Sequence, residues 1–188
     1  SMELKEAFLR REEIYRGRIL DVHVDTVRLP NGRESTREVA DHPGGVAIVA
    51  IDDHDNVLTV KQYRYVFSRV LEEIPAGKLE RGEDPDEAAL RELQEETGAR
   101  PKRMIPLGAL LVSPGCYSEV LHLYLADGLC FGEQHPDEDE FLELCRTPFD
   151  DMLARVMRGE LEDAKTVCGI LKVHALRTAQ KERQENEN

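Results

Sequence analysis

The 188-residue sequence predicts an α+β (mixed α/β) fold. Three observations carry this. Residues 46–51 are a continuous apolar run, the mark of a strand covered on both faces. Residues 84–97 form a helix with readable start and stop signals. The element order is strands, one helix, more strands, then two closing helices, rather than a regular strand–helix alternation.

Residues 3–16 are charged and partly apolar, with no clear period. Over 18–29, Leu20, Val22 and Val24 alternate with Asp21, His23 and Asp25, which reads as a half-buried strand. Pro30-Asn31-Gly32 makes a tight turn, and residues 33–40 return as a second strand. Residues 1–42 are thus expected to be a small antiparallel unit ahead of the main body at 43–180. A hairpin is marginal on its own, so this one must pack on its own chain or on a partner subunit.

The main body opens at His42-Pro43-Gly44-Gly45 and the central strand. Asp52-Asp53-His54-Asp55-Asn56 lacks the later glycine and glutamate of an EF-hand loop, so it reads as a solvated turn. Residues 57–63 and 70–74 are strands, the second ending at Pro75-Ala76-Gly77. After the helix, 102–112 and 120–126 are strands flanking a compact loop at 113–119. Residues 127–140 form a long acidic stretch broken at His135-Pro136, a length that marks a functional or disordered loop. Residues 141–145 are a further strand, Thr147-Pro148 starts a helix that stops at Gly159, and a last helix covers 163–179. The charged tail at 181–188 is expected to be disordered.

The first helix carries the chemistry. Asp84 is a good N-cap, Pro85 sits at the first helical position, Glu87 suits a capping box, and Gly98 suits a left-handed stop. On a helical wheel, Ala89, Leu90, Leu93 and Thr97 point to the core. Glu92, Glu95 and Glu96 share another face, with only small Ala88 and Ala99 beside them and no basic residue. Carboxylates at that spacing lie roughly 5–6 Å apart at Cβ and repel by about 3 kcal/mol per pair at an effective dielectric near 20. Such a face is either fully solvated or arranged around a hard divalent cation, which accepts carboxylates, waters and phosphate oxygens.

Composition sets limits. Apolar residues make up 40% of the chain, enough for a core, and the net charge is −13. That balance argues against a nucleic-acid binder, which needs basic surface to replace counterions. It leaves a small anionic substrate open, because a bound cation reverses the local field. No run of 18 apolar residues and no signal-peptide pattern occurs, so no membrane partner is expected. Ser1-Met2 reads as a remnant ahead of a natural start. Four cysteines, Cys116, Cys130, Cys145 and Cys168, lack metal or redox spacing and read as reduced thiols of a cytoplasmic protein.

From Gly77 to Ala99 the chain reads G-x5-E-x7-R-E-L-x-E-E-x-G-A, which resembles the signature of the Nudix hydrolases at nine positions over 23 residues. Beyond it, REVADHPG at 37–44, KQYR at 61–64, LEEIPAGKLE at 71–80, Pro114 in SPGCYSE, DEDEF at 137–141 and DAKT at 163–166 resemble the ADP-ribose pyrophosphatase branch. The likeness covers about residues 13–175.

The resemblance implies a mixed sheet sandwiched between helices, a topology that periodicity alone does not give. It implies cleavage of ADP-ribose to AMP and ribose 5-phosphate with Mg²⁺, for which Mn²⁺ can substitute. By the same likeness the metal ligands are Glu92, Glu95, Glu96, the carbonyl of Ala76, and Glu140, with Glu138 as general base and Glu95 assisting. Gly77, Glu83, Arg91 and Gly98 shape the turn. Arg37, Glu38, Arg64, Ser113, Gly115, Glu119 and Arg18 hold the substrate, and a homodimer is implied. Two other readings stay open: hydrolysis of another nucleoside diphosphate sugar, such as a GDP- or UDP-sugar, and a non-catalytic ADP-ribose sensor.

Overall fold

The computed structural model describes residues 4–135 and 141–186. The chain divides into two units. One holds the residues up to Gly44 together with Leu111–Val120; the other holds Gly45–Leu110 and the residues from Leu121 onward.

In the first unit, strands β1 (Ala7–Arg16), β2 (Asp21–Arg28) and β3 (Glu34–Asp41) form an antiparallel sheet in that order. Gly32 turns between β2 and β3 at φ +84°, a conformation open to glycine at no steric cost. β1 is an element the sequence pattern did not reveal. Nearly all of its residues are exposed on both faces, and its pairing with β2 shifts register twice, so no period of two survives. His23 is buried in this sheet, with Nδ1 3.0 Å from Asp25 Oδ1 and Nε2 3.0 Å from Asp41 Oδ2. The 113–119 loop is stitched to the end of β3. The Ala40 amide donates to the Cys116 carbonyl at 2.8 Å and the Ser118 amide to the Ala40 carbonyl at 3.0 Å.

The second unit is built on β4 (Gly45–Ile51), which is buried along its whole length. It pairs antiparallel with β5 (Asn56–Arg64) and β7 (Ala76–Lys78), and parallel with β10 (Val120–Asp127). Between β5 and β7 lie a 3₁₀ turn (Tyr65–Phe67) and β6 (Arg69–Glu73), which pairs with β5. Helix α1 (Pro85–Thr97) follows, then β8 (Ala99–Arg100) and β9 (Arg103–Leu111), which borders β10. β8 pairs with β11 (Cys130–Phe131), and β12 (Glu143–Pro148) closes the other edge on β5. Helices α2 (Phe149–Met157) and α3 (Ala164–Asn186) end the chain. β7, β8 and β11 are too short to show a period, and β12 lies later than the 141–145 strand expected from sequence. α3 passes Ala179, the expected end, and continues to Asn186 through residues that favour helix.

The mixed sheet is sandwiched between helices, and β4 shows why. Ala47, Val49 and Ile51 pack with Phe149, Met152, Ile170 and Val173 of α2 and α3. Val46, Ile48 and Ala50 pack with Ala88, Ala89 and Leu93 of α1. Successive side chains of a strand alternate faces, so helices on both sides demand the unbroken apolar run seen in the sequence. Among the described residues, no helix is long and apolar enough to cross a membrane.

Candidate active site

The start and stop of α1 follow its sequence signals. Asp84 is extended and its side chain accepts the Asp86 amide at 2.8 Å, with Pro85 next. At the other end Gly98 is left-handed at φ +70° and its amide donates to Gln94. Tyr124 of β10 pins the first turn by donating to Asp86 Oδ1 at 2.7 Å, a contact between distant segments that the sequence does not signal. The buried side of the helix differs from the wheel. Leu90 is 44% exposed, whereas Glu92 and Glu96 are buried beside Ala88, Ala89, Leu93 and Thr97. Two carboxylates thus occupy an arc that an ordinary core helix would fill with leucine.

Those carboxylates meet the short strand β7. The Ala76 amide donates to Glu96 Oε2 at 3.0 Å. Gly77 lies against Glu92: a Cβ built on it would sit 1.9 Å from the Glu92 carboxyl carbon, so only glycine leaves that carboxylate in place. Arg91 corrects the expectation that nothing basic enters the cluster. Its Nε and Nη2 fork onto Glu83 at 2.8 and 3.0 Å, while Nη1 donates to Glu92 Oε1 at 2.8 Å and Glu95 Oε2 at 2.9 Å. The hydrogen bonds from Arg91 hold the Glu83 carboxyl below its ordinary pKa, helped by the Glu80 amide. Glu83 and Arg91 therefore tie the loop before the helix to its glutamate face.

The donor set fits a hard cation. The carboxylates of Glu92 and Glu96 converge on residues 76–77, with no thiolate or imidazole beside them among the described residues. Among the described residues no three acidic, imidazole or thiol groups surround one point, so the protein side chains alone do not form a cage. Mg²⁺ does not require one, since it takes one or two carboxylates and fills its octahedron with water and substrate phosphate.

A further segment adjoins the helix. Gly132 donates to the Gly98 carbonyl at 2.8 Å, His135 to that of Glu95 at 2.9 Å, and the Gln134 side chain to that of Glu96. Residues 132–135 are thereby laced to the last turn of α1. Glu138 and Glu140 lie outside the described residues. Arg64, at the end of β5, forks onto Glu73 with both distances 2.7 Å, and Lys165 donates to the same carboxylate. Neither Glu73 nor Lys165 was singled out from the sequence as a site residue. A glutamate in a strand and a lysine in a helix carry no local signal of pairing 92 residues apart.

The remaining expected substrate residues sit in the first unit. Ser113, Gly115 and Glu119 belong to the loop stitched to β3. Ser118 Oγ accepts the His42 amide at 2.9 Å, and Glu119 Oε1 lies 3.7 Å from His42 Nδ1. Arg37 and Glu38 lie on β3, with Arg37 paired to Glu6. Arg18 lies between β1 and β2. The metal-type residues Ala76, Glu92, Glu95 and Glu96 are together in the second unit, as are Gly77, Glu83, Arg91 and Gly98.

The chain thus carries a sheet layered between helices, with a glutamate-lined helix against a short glycine-bearing strand. The NUDIX domain matches residues 41–168, and the nucleoside diphosphate sugar hydrolase N-terminal domain matches residues 9–40. The chain belongs to the Nudix hydrolase family. It is 43% identical to the ADP-ribose pyrophosphatase of Bacillus subtilis (strain 168) over 169 residues, 89% of this chain and 91% of that one. It is 40% identical to the ADP-ribose pyrophosphatase of Mycobacterium tuberculosis over 171 residues, 89% of this chain and 82% of that one. A crystal structure of an ADP compounds hydrolase superposes with a TM-score of 0.84 at 25% identity, covering 96% of this chain and 98% of the other.

Proposed function

We propose that this enzyme cleaves the pyrophosphate of ADP-ribose by attack of water on phosphorus, giving AMP and ribose 5-phosphate. The observation that carries this is the convergence of Glu92 and Glu96 on the Ala76–Gly77 backbone, in a chain akin to ADP-ribose pyrophosphatases over most of its length.

In this reading Glu92, Glu95, Glu96 and the Ala76 carbonyl hold Mg²⁺ or Mn²⁺, and Glu140 joins them. A bound divalent cation supplies neutralisation of the diphosphate and a lowered pKa for the attacking water. Glu138 takes the proton as the water oxygen bonds to phosphorus and the bridging P–O bond breaks. Arg91 and Glu83 keep the glutamates aimed. Arg64 offers a guanidinium to phosphate, while Arg37, Glu38, Arg18 and the loop with Ser113, Gly115 and Glu119 bind the two ends of the nucleotide.

The match of residues 9–40 to a nucleoside diphosphate sugar hydrolase domain favours one second reading, hydrolysis of another nucleoside diphosphate sugar, such as a GDP- or UDP-sugar. Chromatography of ADP-ribose incubated with the protein and Mg²⁺ tests the reaction. AMP and ribose 5-phosphate in equal amounts support it; tight binding of ADP-ribose without turnover would instead make the protein a sensor.

We also infer a homodimer formed through residues 1–42, supported by the exposed Phe8, Ile14 and Tyr15 on β1. Light scattering at micromolar concentration reads its mass, and a monomer refutes it. The four cysteines are unpaired, which supports a cytoplasmic setting.

A further inference from the structure

We propose that Lys165 is a positioning residue for phosphate binding: it shares the buried Glu73 carboxylate with Arg64, and so leaves Arg64 free to engage the substrate diphosphate. This rests on the reading of the protein as an ADP-ribose hydrolase. The DAKT segment at 163–166, which the glutamate helix does not explain, is what builds the arrangement.

Glu73 ends β6 and its side chain is 3% exposed. A buried carboxylate needs counter-charge, and one cation alone would be held tightly against it. Two cations share it instead. Arg64 binds both oxygens through Nε and Nη2, each at 2.7 Å, and Lys165 Nζ donates to Oε2. Lys165 is itself fixed by Asp163 Oδ1 at 2.8 Å. The start of α3 is tied to the residue that follows this strand: the Thr166 amide donates to Asp163 Oδ2 at 3.0 Å, and the Ile74 amide to Thr166 Oγ1 at 2.9 Å. Lys165 is thus held between two carboxylates, those of Glu73 and Asp163.

Arg64 differs from Lys165 in exposure. Its side chain is 41% exposed against 14% for Lys165. The described residues engage one edge of its guanidinium and leave Nη1 on the other edge for an incoming oxyanion. Asp163 and Glu96 are among the charges acting on Arg64, which puts it within the field of the glutamate cluster. With Lys165 present, Glu73 has a second counter-ion when Arg64 turns part of its charge to phosphate. With Lys165 removed, Arg64 becomes the sole counter-ion of Glu73, and binding phosphate would draw it from a buried charge.

The test is a double-mutant cycle with Lys165→Met and Arg64→Ala, read as KM and kcat for ADP-ribose and as half-saturating Mg²⁺. The wild type is assayed first, and absence of turnover there overturns the hydrolase reading itself and this inference with it. Given turnover, Lys165→Met is expected to raise KM at least tenfold, with kcat within threefold and half-saturating Mg²⁺ unchanged. Adding Lys165→Met to Arg64→Ala is expected to cost less than threefold more. Lys165→Arg keeps the charge and should restore KM to within threefold of wild type, and it reports even where Lys165→Met does not fold. Equal losses from Lys165→Met in both backgrounds, or a KM rise of tenfold in Lys165→Arg, would overturn the proposal.

Discussion

Arg91 clasps Glu83 with two parallel donors, at 2.8 and 3.0 Å, and reaches past it to Glu92 and Glu95. One guanidinium therefore joins the loop before α1 to two of its three clustered glutamates. A lysine has a single point charge and cannot reproduce that fork. Arg91→Lys should keep the fold by circular dichroism and lose about 10- to 100-fold in kcat, the usual range for a group that orients metal ligands. Unchanged turnover would show that the clasp does not set the glutamates.

Gly77 leaves no room for a methyl group. In Gly77→Ala the new Cβ would meet the Glu92 carboxyl carbon at 1.9 Å, and the flexible end of Glu92 is the part that yields. The expected result is a rise of about tenfold or more in half-saturating Mg²⁺, with a melting temperature close to wild type. A stability loss without a metal effect would contradict this.

Gly98 is constrained twice. Its φ is +70°, and an added Cβ would lie 2.5 Å from the Gly132 carbonyl oxygen, a backbone atom. Gly98→Ala should cost about 2 kcal/mol through the left-handed backbone and this clash. For a domain of this size, that lowers the melting temperature by about 4–8 °C. Scanning calorimetry reads it directly.

The starting and stopping residues of α1 were legible because Asp84, Pro85 and Gly98 act through their own backbone. The glutamate spacing was legible for the same reason, since helix geometry fixes which side chains are neighbours. The burial of Glu92 and Glu96 in place of Leu90 was not, because hydrophobic periodicity assumes that apolar residues take the inner arc. Arg91 entered the cluster through rotamer choice, which a wheel of Cβ positions does not contain. β1 was hidden by its exposure on both faces. The pairing of Glu73 with Lys165 depends on how α3 docks on β6, and no local pattern encodes that.

Glu73 should also govern acid stability. Burial pushes its pKa up, but the hydrogen bonds from Arg64 and the charge and hydrogen bond of Lys165 outweigh burial and hold it at about 2, against 4.5 ordinarily. A depressed folded-state pKa stabilises the fold above the unfolded value, and that stabilisation is lost as pH falls through the folded value. The difference corresponds to about 3 kcal/mol at neutral pH, lost between about pH 4.5 and 2. Urea unfolding should show Glu73→Gln well below wild type at pH 7, with the gap closing as pH approaches 2. A constant gap would rule out ionised Glu73 as the source.

The most direct test of the central claim is kcat/KM for ADP-ribose measured beside GDP-mannose and UDP-glucose, with Mg²⁺ and with Mn²⁺. ADP-ribose is expected to lead by at least tenfold, and Glu96→Gln, still folded, to lose at least a hundredfold in kcat. A GDP- or UDP-sugar leading ADP-ribose by tenfold, or full turnover in Glu96→Gln, would contradict it.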